Sequence, residues 1–111
     1  MGLNLTLCIG RTELKDIPLL GYDRIVITRD YDLYDNIKLI DSIELQEGLW
    51  SYEDEGIEFT ENDAYGDKLK YVTAGELYKC LNEYECEGWN KGVESLLSQL
   101  PTNMKIVLYW D

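Results

Sequence analysis

Two apolar stripes at helical spacing, close together in the second half of the chain, constrain its fold more than any other feature. The first stripe follows Thr73-Ala74-Gly75-Glu76, in which Thr73 and Glu76 have the spacing of a capping box. Its members are Leu77, Cys80, Leu81 and Tyr84. The pattern predicts an amphipathic helix from Ala74 to about Glu85, with Gly88 as the stop.

The second stripe predicts another helix directly afterwards. It consists of Val93, Leu96, Leu97 and Leu100. Asn90 precedes it as a candidate N-cap and Pro101 follows it, so we expect this helix to run from Lys91 to Leu100.

Strand patterns lie at both ends of the chain. The residues Leu3–Ile9 alternate between apolar and small or polar side chains, which is typical of a strand with one buried face. The residues Met104–Trp110 form a short apolar run that suits an interior strand. We also predict strands at Arg24–Thr28 and Lys68–Val72, and a connection over Arg11–Asp23.

The middle of the chain is less regular. Asp30 is a candidate N-cap for a short helix over Tyr31–Ile37. The segment Leu39–Leu45 either extends that helix or begins a strand, and Trp50–Phe59 reads as one short strand or a hairpin. Asn62–Asp67 has the composition of a loop.

Helices with one apolar face need a sheet or another helix to cover that face. We therefore predict an α+β fold in the form of a two-layer sandwich, in which a mixed or antiparallel sheet carries the helices on one face. A length of 111 residues fits a single domain, 1–111.

Several kinds of site are not expected. The chain has no His, and the spacing of Cys8, Cys80 and Cys86 matches no zinc pattern, so we expect reduced, mostly buried thiols. The acidic loop that begins at Glu61 fails as an EF-hand because its twelfth position is Val72. We expect no catalytic residue, metal or cofactor, and hence no enzyme. No apolar run is long enough to cross a membrane, so a cytoplasmic protein is expected.

Acidic residues are concentrated in one segment. Ten of the chain's 22 acidic residues lie between Leu39 and Asp67 without one Lys or Arg, in a protein of net charge −12. The simplest interpretation is a solvated face. Aromatic residues are interleaved with the acids, however, and rigid aromatics beside carboxylates are typical of protein-binding surfaces. The candidate partner-binding residues are Trp50, Tyr52, Glu53, Asp54, Glu55, Glu58, Glu61, Asp63 and Asp67.

Short segments along the chain resemble a family of small phage and bacterial proteins with no assigned activity. The matching residues are Met1-Gly2, Arg29-Asp30-Tyr31-Asp32-Leu33-Tyr34, Val72-Thr73-Ala74-Gly75-Glu76-Leu77 and Val107-Leu108-Tyr109-Trp110-Asp111. That family often has a His soon after Met-Gly, where this chain has Leu3-Asn4-Leu5, so any role of that His is absent. The resemblance implies a phage or mobile-element origin.

These observations together predict an acidic phage-type protein that blocks a basic, nucleic-acid-binding surface of a host defence protein, as an anti-CRISPR or anti-restriction inhibitor does. Binding should depend on the acidic segment, so reversing Asp54 and Glu58 should slow association more than reversing Glu83 and Glu94. The chain should not bind nucleic acid itself, because its net charge repels phosphates. The alternatives are an immunity protein for a basic nuclease toxin, and an enzyme or small-molecule binder with a carboxylate cluster.

Overall fold

A computed structural model describes residues 3–13, 19–46, 48–53 and 56–111, and the side chains of residues 3–9, 24–46 and 61–111. Within these residues the chain forms seven strands and three helices. In chain order they are β1 Leu5–Glu13, β2 Leu19–Ile27, α1 Tyr31–Lys38, β3 Ile43–Glu44, β4 Gly48–Glu53, β5 Gly56–Thr60, β6 Lys70–Thr73, α2 Ala74–Tyr84, α3 Gly88–Gln99 and β7 Lys105–Trp110.

The strands form one mixed sheet in the order β3-β6-β7-β1-β2-β4-β5. The first five strands of this order, from β3 to β2, pair antiparallel with their neighbours. β4 runs parallel to β2, and β5 is antiparallel to β4. The terminal strands β1 and β7 are neighbours, with Leu5 opposite Trp110. This confirms the predicted α+β class, the shared sheet of the two terminal strands and the interior position of the last one.

The main core lies between one face of the sheet and the three helices. The strands contribute Leu5, Leu7, Ile27, Val72, Ile106 and Leu108, and the helices contribute Leu33, Tyr34, Ile37, Ala74, Leu77, Leu81, Val93 and Leu97. The hydroxyl of Tyr34 is buried in this core, where it accepts from the Leu5 amide at 3.3 Å and donates to the Ile27 carbonyl at 3.0 Å. The helices therefore cover one face of the sheet, as predicted.

The two ends of the strand order approach each other at Leu69. The amide of Leu69 donates to the carbonyl of Glu61, just after β5, at 3.1 Å, and the amide of Leu45, just after β3, donates to the carbonyl of Leu69 at 2.8 Å. Since β3 and β5 occupy opposite ends of the order, the sheet must curve strongly. This curvature accounts for a second buried cluster of Cys8, Leu45, Leu69 and Val107 on the face away from the helices.

The connection predicted over Arg11–Asp23 is wrong at both ends. β1 continues to Glu13 and β2 begins at Leu19, so the two strands form a long hairpin. The register shifts between Gly10 and Thr12, which marks a β-bulge or irregularity. Residues 10–13 are Gly, Arg, Thr and Glu, so the apolar period that identifies the first half of β1 has no apolar residue to continue it.

The structure decides between the alternatives for the middle of the chain. Asp30 caps α1 as predicted, because its Oδ1 accepts from the Leu33 amide at 3.2 Å. The segment Leu39–Leu45 contains strand β3 rather than more helix, and Trp50–Phe59 lies in the β4–β5 hairpin. Asn62–Asp67 is a loop.

The turn between the two long helices differs from the prediction in the residue that ends α2 and in the residue that begins α3. The capping box of Thr73 and Glu76 is present at the start of α2. Gly88 begins α3 instead of ending α2, and Glu85 is the C-cap of α2 in the left-handed conformation. Asn90 is not a cap, because its amide group binds both the N–H and the C=O of Thr28, at 2.8 and 3.0 Å.

No helix in the described part of the chain is both long and apolar enough to span a membrane.

Candidate functional site

The β4–β5 hairpin carries four of the predicted partner-binding residues. Its register places Trp50 opposite Phe59 and Tyr52 opposite Ile57, while Glu58 is opposite Ser51. The structure describes the backbone pairing of these residues, and their side chains lie outside the described part of the chain. Asp54 and Glu55 lie outside the described residues.

The other three predicted residues lie in the loop Glu61–Asp67, which is held in a tight turn. The carboxylate of Asp63 accepts from the amides of Tyr65 and Asp67, at 2.9 and 3.1 Å, and the Asp63 amide donates to the Asp67 carbonyl at 2.9 Å. Gly66 has φ +83, which glycine adopts without steric cost. The loop leaves Glu61 and Asp67 exposed and Asp63 half-buried, beside an exposed Tyr65.

The same loop borders a cleft that the sequence did not indicate, which we name the lysine cleft. It has a volume of about 590 Å³ and is lined by the cations Lys38, Lys68 and Lys70, the anions Glu44, Asp63 and Asp67, the aromatics Tyr65 and Trp110, and by Leu3, Ile37, Ile40, Ser42 and Leu108. Lys38 lies over the Trp110 ring, with its Nζ 5.0 Å from the ring centroid. A segment without lysine in the sequence therefore has lysines as neighbours in space.

A second surface outside the predicted segment also combines acids with aromatics. A cleft of about 690 Å³, which we name the corner cleft, is lined by residues 28–30 and 84–90, at the turn from α2 to α3. Its carboxylates are Asp30, Glu85 and Glu87, and Arg29 is the one basic residue among the lining residues. Trp89 stands at its edge, 60% exposed.

Hydrogen bonds fix the walls of the corner cleft. The hydroxyl of Tyr84 donates to the carboxylate of Asp30, at 2.8 and 2.7 Å to its two oxygens. This bond to the carboxylate raises the pKa of Tyr84 to about 12, with burial a smaller cause. The indole of Trp89 donates to the Val26 carbonyl at 2.6 Å.

The two clefts were missed for different reasons. The residues of the lysine cleft come from α1, β3, β6, β7 and the segments beside them, so no local pattern links them. The corner cleft had a local signal, because Glu83, Glu85 and Glu87 alternate with Tyr84 and precede Trp89. The same residues mark the end of the predicted first helix, and in the sequence analysis they are interpreted only in that way.

Thiol and metal chemistry have little support in the described residues. The three cysteines are free, as predicted, and Cys8 and Cys86 are buried. Burial raises the pKa of Cys8 to about 12, so its thiol stays protonated at neutral pH. Within the described residues, no group of three Cys, Asp or Glu side chains has an arrangement that could hold a metal ion.

No protein-family model, curated protein or solved structure matches this chain. The resemblance to small phage and bacterial proteins therefore rests on its short segments alone.

Proposed function

We propose that this chain is an acidic binding protein that docks on a basic, nucleic-acid-binding surface of a host defence protein and blocks it. The observation that carries the proposal is that most carboxylates of the described side chains face solvent without an ion-pair partner. Among the side chains described, Glu94 is the only buried carboxylate, and only Glu83 and Glu94 lie within ion-pair distance of a lysine.

Several of its cations, by contrast, contact groups of the same chain. Arg29 donates to the Asn4 side chain, Lys38 lies over Trp110, and Lys105 lies over Tyr71. These contacts are with uncharged groups, so the cations keep their charge, and the negative potential that a partner meets comes from the excess of acidic residues, a net charge of −12. Such complementarity increases the association rate and sets specificity more than it adds affinity.

A phage-type inhibitor acts inside the host cell, so the test is made there. Bacteria that carry a restriction or CRISPR system would express the chain, and the plating efficiency of a sensitive phage would be measured. We expect expression to restore plating by at least tenfold against one such system. A matched variant, Glu61→Lys with Asp67→Lys, should restore less than wild type, whereas Asp35→Lys at an exposed α1 position should act like wild type.

The immunity-protein alternative gives a different outcome in the same cells. A chain that protects against a co-expressed basic nuclease toxin, and leaves plating unchanged for every defence system in the panel, is an immunity protein. That result would overturn the inhibitor proposal.

The lysine cleft favours a second candidate, a small-molecule binder. Its volume of about 590 Å³ is within the range of ligand sites, and its lining combines charged side chains with apolar residues that include Ile37 and Leu108. The test is the melting temperature of the purified chain with a panel of nucleotides and amino acids at millimolar concentration. A rise with one ligand class, lost in Lys68→Ala with Lys70→Ala, would support this candidate.

A further inference from the structure

Trp89 is exposed and yet held in place. It is 60% exposed, and its indole N–H is bound to the Val26 carbonyl at 2.6 Å. An aromatic ring that is already fixed loses little conformational entropy when a partner covers it. This is why such rings act as anchors in protein interfaces.

The charge beside Trp89 is negative and available. Asp30 is already engaged, since its carboxylate accepts from the Tyr84 hydroxyl and the Leu33 amide. Glu85 and Glu87 are exposed, and among the described residues neither carboxylate has a hydrogen-bond partner.

Among the described residues, the bases near the corner cleft form no ion pair with these two acids. The guanidinium of Arg29 donates to Asn4, at 2.7 Å from Nη2. Lys91 on α3 donates to Glu94 at 2.6 Å. Two exposed carboxylates and an exposed indole thus border one cleft.

A guanidinium matches this arrangement better than an ammonium. Arginine is planar, stacks on an aromatic face and binds carboxylates through a fork of N–H groups, whereas lysine is a compact, strongly hydrated charge. We propose that the corner cleft is the docking site for an arginine side chain of the basic partner. In this complex the guanidinium stacks on Trp89 and donates to Glu85 and Glu87. The inference rests on the proposed function and specifies its contact.

The experiment compares two probes of equal charge, hexa-arginine and hexa-lysine. Each peptide is titrated into the ¹⁵N-labelled chain at low salt, and shifts of the backbone amides and of the Trp89 indole are recorded. We expect hexa-arginine to bind about threefold to tenfold more tightly and to shift residues 85–90. Trp89→Ala should remove the preference, Glu87→Gln should reduce it, and Trp89→Phe should keep most of it. Thermal unfolding of each variant shows that it is folded.

The control variant is Glu61→Gln with Asp67→Gln, which should leave the preference unchanged. Equal affinity for the two peptides, or a preference that survives Trp89→Ala, would overturn the inference. If both peptides instead bind at Glu61–Asp67 with salt-dependent affinity, the corner cleft is excluded and the proposed function stands. If neither peptide binds at low salt, the proposed function fails with it.

Discussion

Glu85 is the one non-glycine residue with a positive φ among those described, at φ 62 and ψ 57. The left-handed conformation costs an L-residue roughly 1–2 kcal/mol, which glycine does not pay. We expect Glu85→Gly to raise the unfolding free energy by about 0.5–1 kcal/mol after the entropy cost of glycine, while Glu85→Ala gains nothing. Urea denaturation measures both variants, and a loss of stability in Glu85→Gly would show that the carboxylate stabilises the corner.

The hydrogen bond between Tyr84 and Asp30 predicts a stability change at high pH. The pKa of Tyr84 is raised from its usual value of 10.0 to about 12 in the folded chain. Between these values the folded state keeps a proton that the unfolded state has lost, so the unfolding free energy falls as the pH rises. The wild type should lose more stability over this range than Tyr84→Phe does. Parallel losses in the two proteins would mean that the hydrogen bond does not shift the titration.

Glu94 is a buried carboxylate, and nothing in the sequence around it indicates this burial. It is 3% exposed, one carboxylate oxygen accepts from Lys91, and the other has no partner among the described residues. The sequence predicts that reversing Glu94 together with Glu83 slows association less than reversing Asp54 and Glu58, but the burial of Glu94 makes it unsuitable for that comparison. We now expect Glu94→Lys to lower the unfolding free energy by about 2–4 kcal/mol, because it leaves buried charge unpaired. Asp35→Lys on exposed α1 should change stability by less than about 0.5 kcal/mol and is the better control.

At the scale of elements, α3 offers a matched pair of leucines. Leu97 is 2% exposed in the main core and Leu96 is 38% exposed, although both belong to the predicted stripe. We expect Leu97→Ala to cost about 2–4 kcal/mol and Leu96→Ala less than about 1 kcal/mol. Chemical denaturation of the two variants compares them directly. Equal costs would mean that α3 packs on the sheet with a different face.

The start of a helix is predictable from the sequence when side chains form cap hydrogen bonds there. Thr73 and Glu76 bind each other's backbone amides, so the start of α2 was predicted to the residue. Glu87 at the start of α3 makes no side-chain cap hydrogen bond, and Asn90, the obvious candidate, is engaged with Thr28. The sequence does not predict the second half of the β1–β2 hairpin, because residues 10–13 contain no apolar residue and Pro18 and Gly21 favour a connection.

At the scale of the whole molecule, the acidic residues can be counted in the sequence, but the residues that lie near them in space cannot be read from it. Folding places Lys38 and Lys70 in one cleft with Asp63 and Asp67. Lys38 is far from both acids in the sequence, so no local pattern links it to them. Glu85, Glu87 and Trp89 lie within five residues, so the corner cleft does have a local sequence signal.

Charge at this scale acts over short distances, because the Debye length is about 8 Å at physiological ionic strength. If the proposed function holds, the chain should inhibit strongly at low salt and weakly at high salt. It should also compete with nucleic acid, since the proposal gives both ligands the same basic surface of the partner.

The most direct measurement is competition for that surface. A defence complex against which the chain restores plating, as proposed, is mixed with its fluorescently labelled DNA, and anisotropy is followed as purified chain is added at 50 and 300 mM salt. We expect the DNA to be released stoichiometrically at low salt, and more chain to be needed at high salt once the change in DNA affinity is subtracted. DNA that stays bound at saturating chain, or release that does not depend on salt, would contradict the proposed function.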